Sequence, residues 1–105
     1  MGMKTLEIGI DLDGTLLDNT DQEGRRCNLP VLNLIYFFAK QCKNVRLSLY
    51  SARPIEQQLE IVNRLGIGRY ISGHHVKSDG WKPDIHIDDQ QEVELGDKNI
   101  IVRMK

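Results

Sequence analysis

The stretch Ile8-Gly9-Ile10-Asp11-Leu12-Asp13-Gly14-Thr15 decides the fold, because an apolar segment runs directly into two carboxylates and a glycine. Alternate residues of an extended segment point the same way, so Asp11 and Asp13 leave one face about 7 Å apart. Gly14 permits a sharp turn out of the strand. Two acids at the end of a buried strand are typical of a phosphoryl-transfer site.

Composition and charge predict one globular domain over residues 1–105. Of these residues 40% are hydrophobic, and the formal net charge of −1 argues against a surface that tracks long nucleic acid. Cys27 and Cys42 lack the spacing of a metal site, so we expect reduced thiols in a cytoplasmic protein. No apolar run approaches the roughly 18 residues of a membrane span, and no signal peptide is visible, so we expect no membrane partner.

Strand and helix patterns alternate along the chain. The helix after Pro54 has a predicted buried stripe of Ile55, Leu59, Val62 and Leu65. Strands are predicted at 6–11, 45–50, 69–72, 84–88 and 99–104, helices at 30–43, 54–66 and 90–95, and loops at 18–28 and 73–81. This order predicts an α/β three-layer sandwich with a Rossmann-like parallel sheet of about five strands. Ligands of such sheets bind beyond the carboxyl ends of the strands.

At Asp11 to Asp89 the chain resembles the haloacid dehalogenase (HAD) superfamily of phosphatases, whose four motifs occur here in order. The first motif reads DxDGT followed by an apolar residue, and the resemblance implies Asp11 as nucleophile and Asp13 as general acid/base. A DxDG run also begins calcium-binding loops. Those loops need further oxygen ligands and a distal glutamate, which are missing here.

General chemistry supports the same roles for Asp11 and Asp13 without the resemblance. A carboxylate attacks a phosphate monoester only when a cation and hydrogen-bond donors offset the charges of both, and Mg²⁺ with a lysine meets that need. Asp13 can protonate the leaving alkoxide and later take a proton from water. Hydrolysis is then divided into two easier steps through an aspartyl phosphate.

The second motif is an apolar strand that ends at Ser51, just before the helix that starts at Pro54. The resemblance implies that Ser51 and the adjoining Ala52 bind the substrate phosphate, with the helix N-terminus assisting. Ser51 fits a helix cap equally well on local sequence. For Arg53 two roles stay open, assistance at the site and an exposed salt bridge.

The third and fourth motifs join in the segment from Lys82 to Asp89. The resemblance implies that Lys82 pairs with Asp11 and the phosphoryl group. It also implies that Asp88, supported by Asp89, holds Mg²⁺ together with Asp11 and the main-chain carbonyl of Asp13. Adjacent acids at a strand end are unfavourable unless a cation neutralises them. Lys77 competes with Lys82 for the lysine role.

Neither gap between the motifs has room for the cap domain that HAD members commonly carry, so the chain resembles a capless member with an open site. Such a site suits a nucleic-acid end, a nucleotide, a phosphoprotein or another phosphomonoester, or a homo-oligomer that supplies the lid. Two other functions stay open, a receiver-like phosphoacceptor domain and a non-catalytic phosphate- or nucleotide-binding protein. The roles of His74, His75 and Trp81 are also open.

Overall fold

The computed structural model describes residues 5–17 and 27–88 and the backbone of residues 98–101. In chain order the elements are β1 (Leu6–Ile10), α1 (Leu29–Gln41), β2 (Val45–Ser51), α2 (Ile55–Leu65), a 3-10 helix (Gly68–Tyr70), β3 (Gly73–Val76), β4 (Ile85–Asp88) and β5 (Lys98–Ile101). The paired strands are parallel, which confirms the predicted α/β arrangement. In the part of the chain that the structure describes, every helix is too short or too polar to cross a bilayer.

The strands lie side by side in the order β3-β2-β1-β4-β5. The chain therefore adds β2 and β3 on one side of β1 and then crosses to place β4 on the other side. The carboxyl ends of β1 and β4 flank the point where the strand order reverses, and crevices at such points bind ligands. Asp88 ends β4, and Asp11 follows β1 with its N–H donating to Ile87 O at 3.0 Å.

The helices cover one face of the sheet. Ile8 and Ile10 are in register with Leu47 and Leu49, so these four side chains share a face. They form one buried cluster with α1 and α2, to which the helices contribute Val31, Ile35, Ile61 and Val62. Three leucines that follow β1 belong to the same cluster: Leu12, Leu16 and Leu17. The loop after Asp11 is therefore anchored in the core.

The opposite face is covered by the segment between β3 and β4. Gly9, Ser48 and His86 align on this face by register. A Cβ atom at Gly9 would lie 3.0 Å from both Pro83 Cγ and Trp81 Cζ3, so these rings pack directly on the glycine. The helix predicted at 90–95, which would complete the third layer, lies outside the described residues, as do residues 102–104 of the last predicted strand.

The third strand was predicted wrongly at 69–72. Residues 68–70 form a 3-10 helix, and β3 is Gly73–Val76, inside the predicted loop. Tyr70 and Ile71 pack against the helical core, which accounts for the apolar pattern that suggested a strand. Gly73 suits the start of β3 because a Cβ atom there would lie 2.8 Å from Ser48 Oγ on the neighbouring strand.

The buried face of α2 also differs from the predicted stripe. Ile55 and Leu59 are 44% and 50% exposed, whereas Gln58 and Ile61 are buried beside Val62. Gln58 is turned inward because its amide donates to two backbone carbonyls at the sheet edge. Helical periodicity predicted the helix correctly, but it did not predict which face of the helix is buried.

The packing on Gly9 gives a stability prediction. We expect Gly9→Val to lower the free energy of unfolding by about 1–3 kcal/mol, because the added methyls overpack against Pro83 and Trp81. Gly68→Ala is the matched control, since its Cβ would meet Val62 Cγ1 at an ordinary 3.8 Å. Urea unfolding of both variants measures the difference. Equal stability of the two variants would show that the second face is not packed as described.

Candidate functional site

A tight loop positions Asp11 at the end of β1. The loop is closed by hydrogen bonds from Thr15 N and Leu17 N to Leu12 O, at 3.1 and 2.9 Å, and by one from Gly14 N to Leu17 O at 3.0 Å. Gly14 has φ 80°, a conformation that favours glycine. The loop turns Thr15 back toward the strand end, where Thr15 Oγ1 donates to Asp11 Oδ2 at 3.0 Å. Thr15 therefore fixes one oxygen of the carboxylate.

The start of α1 holds this loop from outside. Asn28, which precedes the helix, donates its N–H to Leu16 O at 2.7 Å and its side-chain amide to Thr15 O at 3.0 Å. Asn28 is the N-cap residue of α1, yet its side chain makes no capping hydrogen bond and serves the loop instead. The orientation of Asp11 is thus coupled to the packing of α1.

One lysine joins the two strand-end carboxylates. Lys77 Nζ lies 3.0 Å from Asp11 Oδ1 and 2.9 Å from Asp88 Oδ2. The carboxylate side chains are 8% and 1% exposed, and that of Lys77 is 22% exposed. Two buried carboxylates with one ammonium leave one negative charge in excess when both acids are ionised. Burial of an excess charge is unfavourable, and a further cation would offset it.

The pKa values reflect burial together with the neighbouring charges. The pKa of Asp11 is raised to about 7, chiefly by burial and in addition by nearby Asp88, while Lys77 opposes the shift. Burial tends to lower the pKa of Lys77, but its hydrogen bonds and charge interactions with Asp88 and Asp11 outweigh that effect, and its pKa is raised. Lys77 is therefore positively charged at neutral pH. The perturbed carboxyl of Asp11 marks a candidate functional site.

The end of β3 delivers Lys77 to this position. Its N–H donates to Ser51 O at 2.9 Å, which continues the β2–β3 pairing by one residue. Asp79 shapes the turn that follows, because its N–H donates to Val76 O and its carboxylate accepts the N–H of Trp81. That Trp81 N–H holds the pKa of Asp79 below its ordinary value.

Two of the residues whose roles were open support the same turn. His75 Nδ1 lies 3.1 Å from Asp79 Oδ2, and its ring stacks on Trp81 with 3.9 Å between centroids and 7° between planes. Tyr50 OH also donates to Trp81 O at 2.7 Å. His74 lies on β3, one residue earlier.

The backbone of Lys82 lies near the start of β4, whereas Asp11 and Asp88 lie at the carboxyl ends of β1 and β4. Lys82 is exposed and lies in the segment that runs to the start of β4, where Asp84 N donates to Glu7 O at 2.8 Å near the beginning of β1. Asp84 and Asp88 are four residues apart along an extended chain, about 13 Å of rise. The lysine between Asp11 and Asp88 is instead Lys77, the competing candidate.

Ser51 ends β2, next to the carboxyl end of β1, and Arg53 follows two residues later. Ser51 is buried at the end of β2, and its Oγ accepts the N–H of Arg53 at 3.1 Å. The hydroxyl proton of Ser51 is not used in that bond. Ala52 is exposed between them. Arg53 donates from Nη2 and Nε, along one edge of its guanidinium, to the two oxygens of Asp13 at 2.7 and 2.8 Å. Asp13 is thus at the site but does not join the lysine-bridged pair.

Two supporting residues were missed or undervalued from the sequence. Gln58 is fully buried and donates to Arg53 O at 3.0 Å and to His75 O at 2.9 Å. These hydrogen bonds tie α2 to the segment after β2 and to β3. Its signal was a polar residue between apolar helix positions. His86 is buried on β4, and its Nε2 lies 3.3 Å from Asp88 Oδ2. Asp89 lies outside the described residues.

The donor set bears on the expected metal. Among residues 5–17 and 27–88, no group of three or more His, Cys, Asp or Glu side chains is arranged to hold a metal ion. The site offers two carboxylates whose oxygens both contact one cationic nitrogen. Mg²⁺ typically binds one or two carboxylates and keeps its remaining ligands as water and substrate phosphate. The residues present therefore fit Mg²⁺ better than a metal that needs an all-protein cage.

The raised pKa of Asp11 predicts how stability varies with pH. Its folded pKa of about 7 exceeds the unfolded value of about 3.9, so the folded state loses stability as pH rises from about 4 to 7. The Asp11→Asn variant does not lose stability in this way, because asparagine does not titrate. We expect the stability of the variant relative to the wild type to increase by about 1–4 kcal/mol between pH 4 and pH 8. Urea unfolding in the presence of EDTA measures it.

Glu60→Gln, which removes an exposed carboxylate from α2, is the control for the loss of one negative charge. A difference between Asp11→Asn and wild type that stays constant from pH 4 to pH 8 would contradict the raised pKa.

Comparison of this chain with protein-family models, with curated proteins and with solved structures found no match. The functional interpretation therefore depends on the geometry of the site and on the motifs in the sequence.

Proposed function

We propose that the chain is a Mg²⁺-dependent phosphomonoester hydrolase of the HAD type, with a capless core and a covalent aspartyl phosphate on Asp11. One observation carries the proposal: Asp11 and Asp88 are buried at the ends of adjacent parallel strands, where the strand order reverses, and Lys77 contacts both. Concentrating buried charge at a ligand-binding crevice is unfavourable for folding, so it points to function.

Asp11 has the surroundings of a nucleophile. Its Oδ2 accepts the Thr15 hydroxyl and its Oδ1 contacts Lys77, so its orientation is fixed before substrate arrives. When Mg²⁺ is bound by Asp11, Asp88 and the carbonyl of Asp13, it supplies positive charge that offsets the phosphoryl oxygens and the attacking carboxylate. Lys77 then orients Asp11 and adds a second positive charge at the reacting phosphoryl group.

The reaction has two steps. In the first, an Asp11 oxygen forms a bond to phosphorus, the bond to the leaving alkoxide breaks, and Asp13 gives that oxygen a proton. In the second, water attacks the aspartyl phosphate, Asp13 takes a proton from the water, and Asp11 leaves as a carboxylate. The free hydroxyl proton of Ser51 and the backbone N–H of Ala52 are the donors we assign to the phosphate oxygens.

Substrate and location follow as parts of the proposal. An uncapped site at the carboxyl ends of the strands suits a phosphate on a large molecule, such as a nucleic-acid end or a phosphoprotein, as well as a nucleotide. A second copy of the chain that supplies a lid is the alternative for a small substrate. Cys27 and Cys42 are free thiols, which suits the reducing cytoplasm.

The first test is the loss of the nucleophile. We expect Asp11→Asn to lower Mg²⁺-dependent phosphate release from p-nitrophenyl phosphate by about a thousandfold or more, because no covalent intermediate can form. Glu60→Gln is expected to retain wild-type activity. Retention of activity by Asp11→Asn would rule out the mechanism. Stable phosphorylation of wild type without turnover would favour a receiver-like domain. Phosphate binding without phosphorylation or hydrolysis would favour a binding protein.

The second test compares the two lysines. We expect Lys77→Met to lower kcat by about a hundredfold or more, because the charge between Asp11 and Asp88 is lost. Lys82→Met is expected to change kcat by no more than about threefold, since that residue is exposed near the start of β4. Both are assayed with saturating Mg²⁺ after circular dichroism has shown folded protein. The reverse ranking would restore the assignment made from the motif.

A further inference from the structure

A partly exposed ion pair joins the segments that follow β1 and β2. Arg53 Nε donates to Asp13 Oδ2 at 2.8 Å and Nη2 donates to Asp13 Oδ1 at 2.7 Å, a two-pronged contact between residues 40 positions apart. The side chains are 31% and 51% exposed. Exposed ion pairs contribute little to folding stability. The geometry therefore needs an explanation other than stability.

The backbone of Arg53 is held from both sides. Its N–H donates to Ser51 Oγ at 3.1 Å, and its carbonyl accepts the amide of the fully buried Gln58 at 3.0 Å. Gln58 also donates to His75 O, which links this point to β3. The guanidinium thus extends from a backbone that is held at both its N–H and its carbonyl, beside the proposed phosphate ligand Ser51.

The partner of Arg53 is the residue that must transfer protons. Both Asp13 oxygens accept hydrogen bonds from the Arg53 guanidinium, so neither is directed at a leaving group or at water. The same planar fork matches a phosphate group, with two parallel N–H···O bonds. A phosphomonoester dianion carries twice the charge of a carboxylate and can compete for the guanidinium.

We propose that Arg53 is an exchangeable clamp, which holds Asp13 in the ligand-free protein and transfers to the phosphate of the bound phosphomonoester, so that Asp13 is released. The release matters for proton transfer only if the proposed hydrolase function holds. The exchange of partners itself requires only that the site binds phosphate. Arg53 is then both the phosphate anchor at the rim and the residue that positions Asp13 before substrate arrives.

The clamp makes Asp13 a competitor of phosphate. Asp13→Asn should tighten the binding of inorganic phosphate by about fivefold, because the guanidinium is no longer occupied, whereas Arg53→Met should weaken it about tenfold or more. Removing Asp13 also removes one negative charge, which by itself favours an anion. In the Arg53→Met background only that smaller gain remains. The interaction between the two substitutions is therefore the signature of exchange.

Titration calorimetry with inorganic phosphate and Mg²⁺ tests this on wild type, Arg53→Met, Asp13→Asn and the double variant. Arg64→Met is the matched control, an exposed arginine of α2 that pairs with Glu60 at 2.9 Å, and we expect its phosphate affinity to stay within twofold of wild type. Arg53→Lys, which keeps the charge without the fork, should recover only part of the affinity.

The clamp would be overturned by any of three results: wild type binds no phosphate, Arg53→Met binds it as wild type does, or Asp13→Asn gives an equal gain in both backgrounds. The hydrolase proposal fails separately. If phosphate binding shows the expected coupling but wild type hydrolyses no phosphomonoester, the clamp stands and the hydrolase is excluded. If wild type hydrolyses but the coupling is missing, the hydrolase stands and the clamp is excluded.

Discussion

The contact of the Lys77 ammonium with Asp11 and Asp88 is the interaction on which the rest of the site depends. The parallel sheet brings two carboxylates to adjacent strand ends and removes both from water, which is unfavourable without a cation between them. One ammonium offsets only one of the two charges. Burial, together with the charge of Asp88, raises the pKa of Asp11 to about 7. A fold selected for stability alone has no reason to retain the uncompensated charge, whereas a site that binds a further cation and a phosphate has.

The position of Lys77 is in turn built by segments that are distant in sequence. Its backbone pairs with Ser51 at the end of β2, and Asp79 closes the turn behind it. Gln58 ties α2 to Arg53, after β2, and to His75 on β3, so hydrogen bonds through one buried side chain connect the segments that flank the site. This explains why α2 buries a glutamine and leaves Ile55 and Leu59 exposed. The rotation of the helix is set by hydrogen bonds at the sheet edge rather than by its apolar stripe.

The sequence predicts those parts of the fold whose patterns lie within the element itself. The first two and the fourth strands and both described helices carry local signals: apolar runs, Pro30 and Pro54 at helix starts, and Gly66 as a left-handed cap. β3 has four residues, two of them histidines, and forms because β2 offers an edge, which no local pattern reports. The same reason explains why the sequence favoured Lys82, although Lys77 is the lysine that contacts Asp11 and Asp88. With a strand at 69–72, Lys77 falls inside a loop, but after a strand at 73–76 it is the first residue beyond the carboxyl end.

The two acids of the DxD motif show how equal residues acquire different chemistry. Asp11 is buried among Thr15, Lys77 and Asp88, whereas Asp13 is about half exposed and meets Arg53. Sequence spacing places both acids at the strand end, but only the turn at Gly14 separates their surroundings. Two-step hydrolysis needs this difference, because an attacking carboxylate gains from fixed, desolvated geometry and a proton carrier must exchange protons with water. An ion pair at the exposed acid can open at little energetic cost, and the lysine bridge at the buried acid cannot.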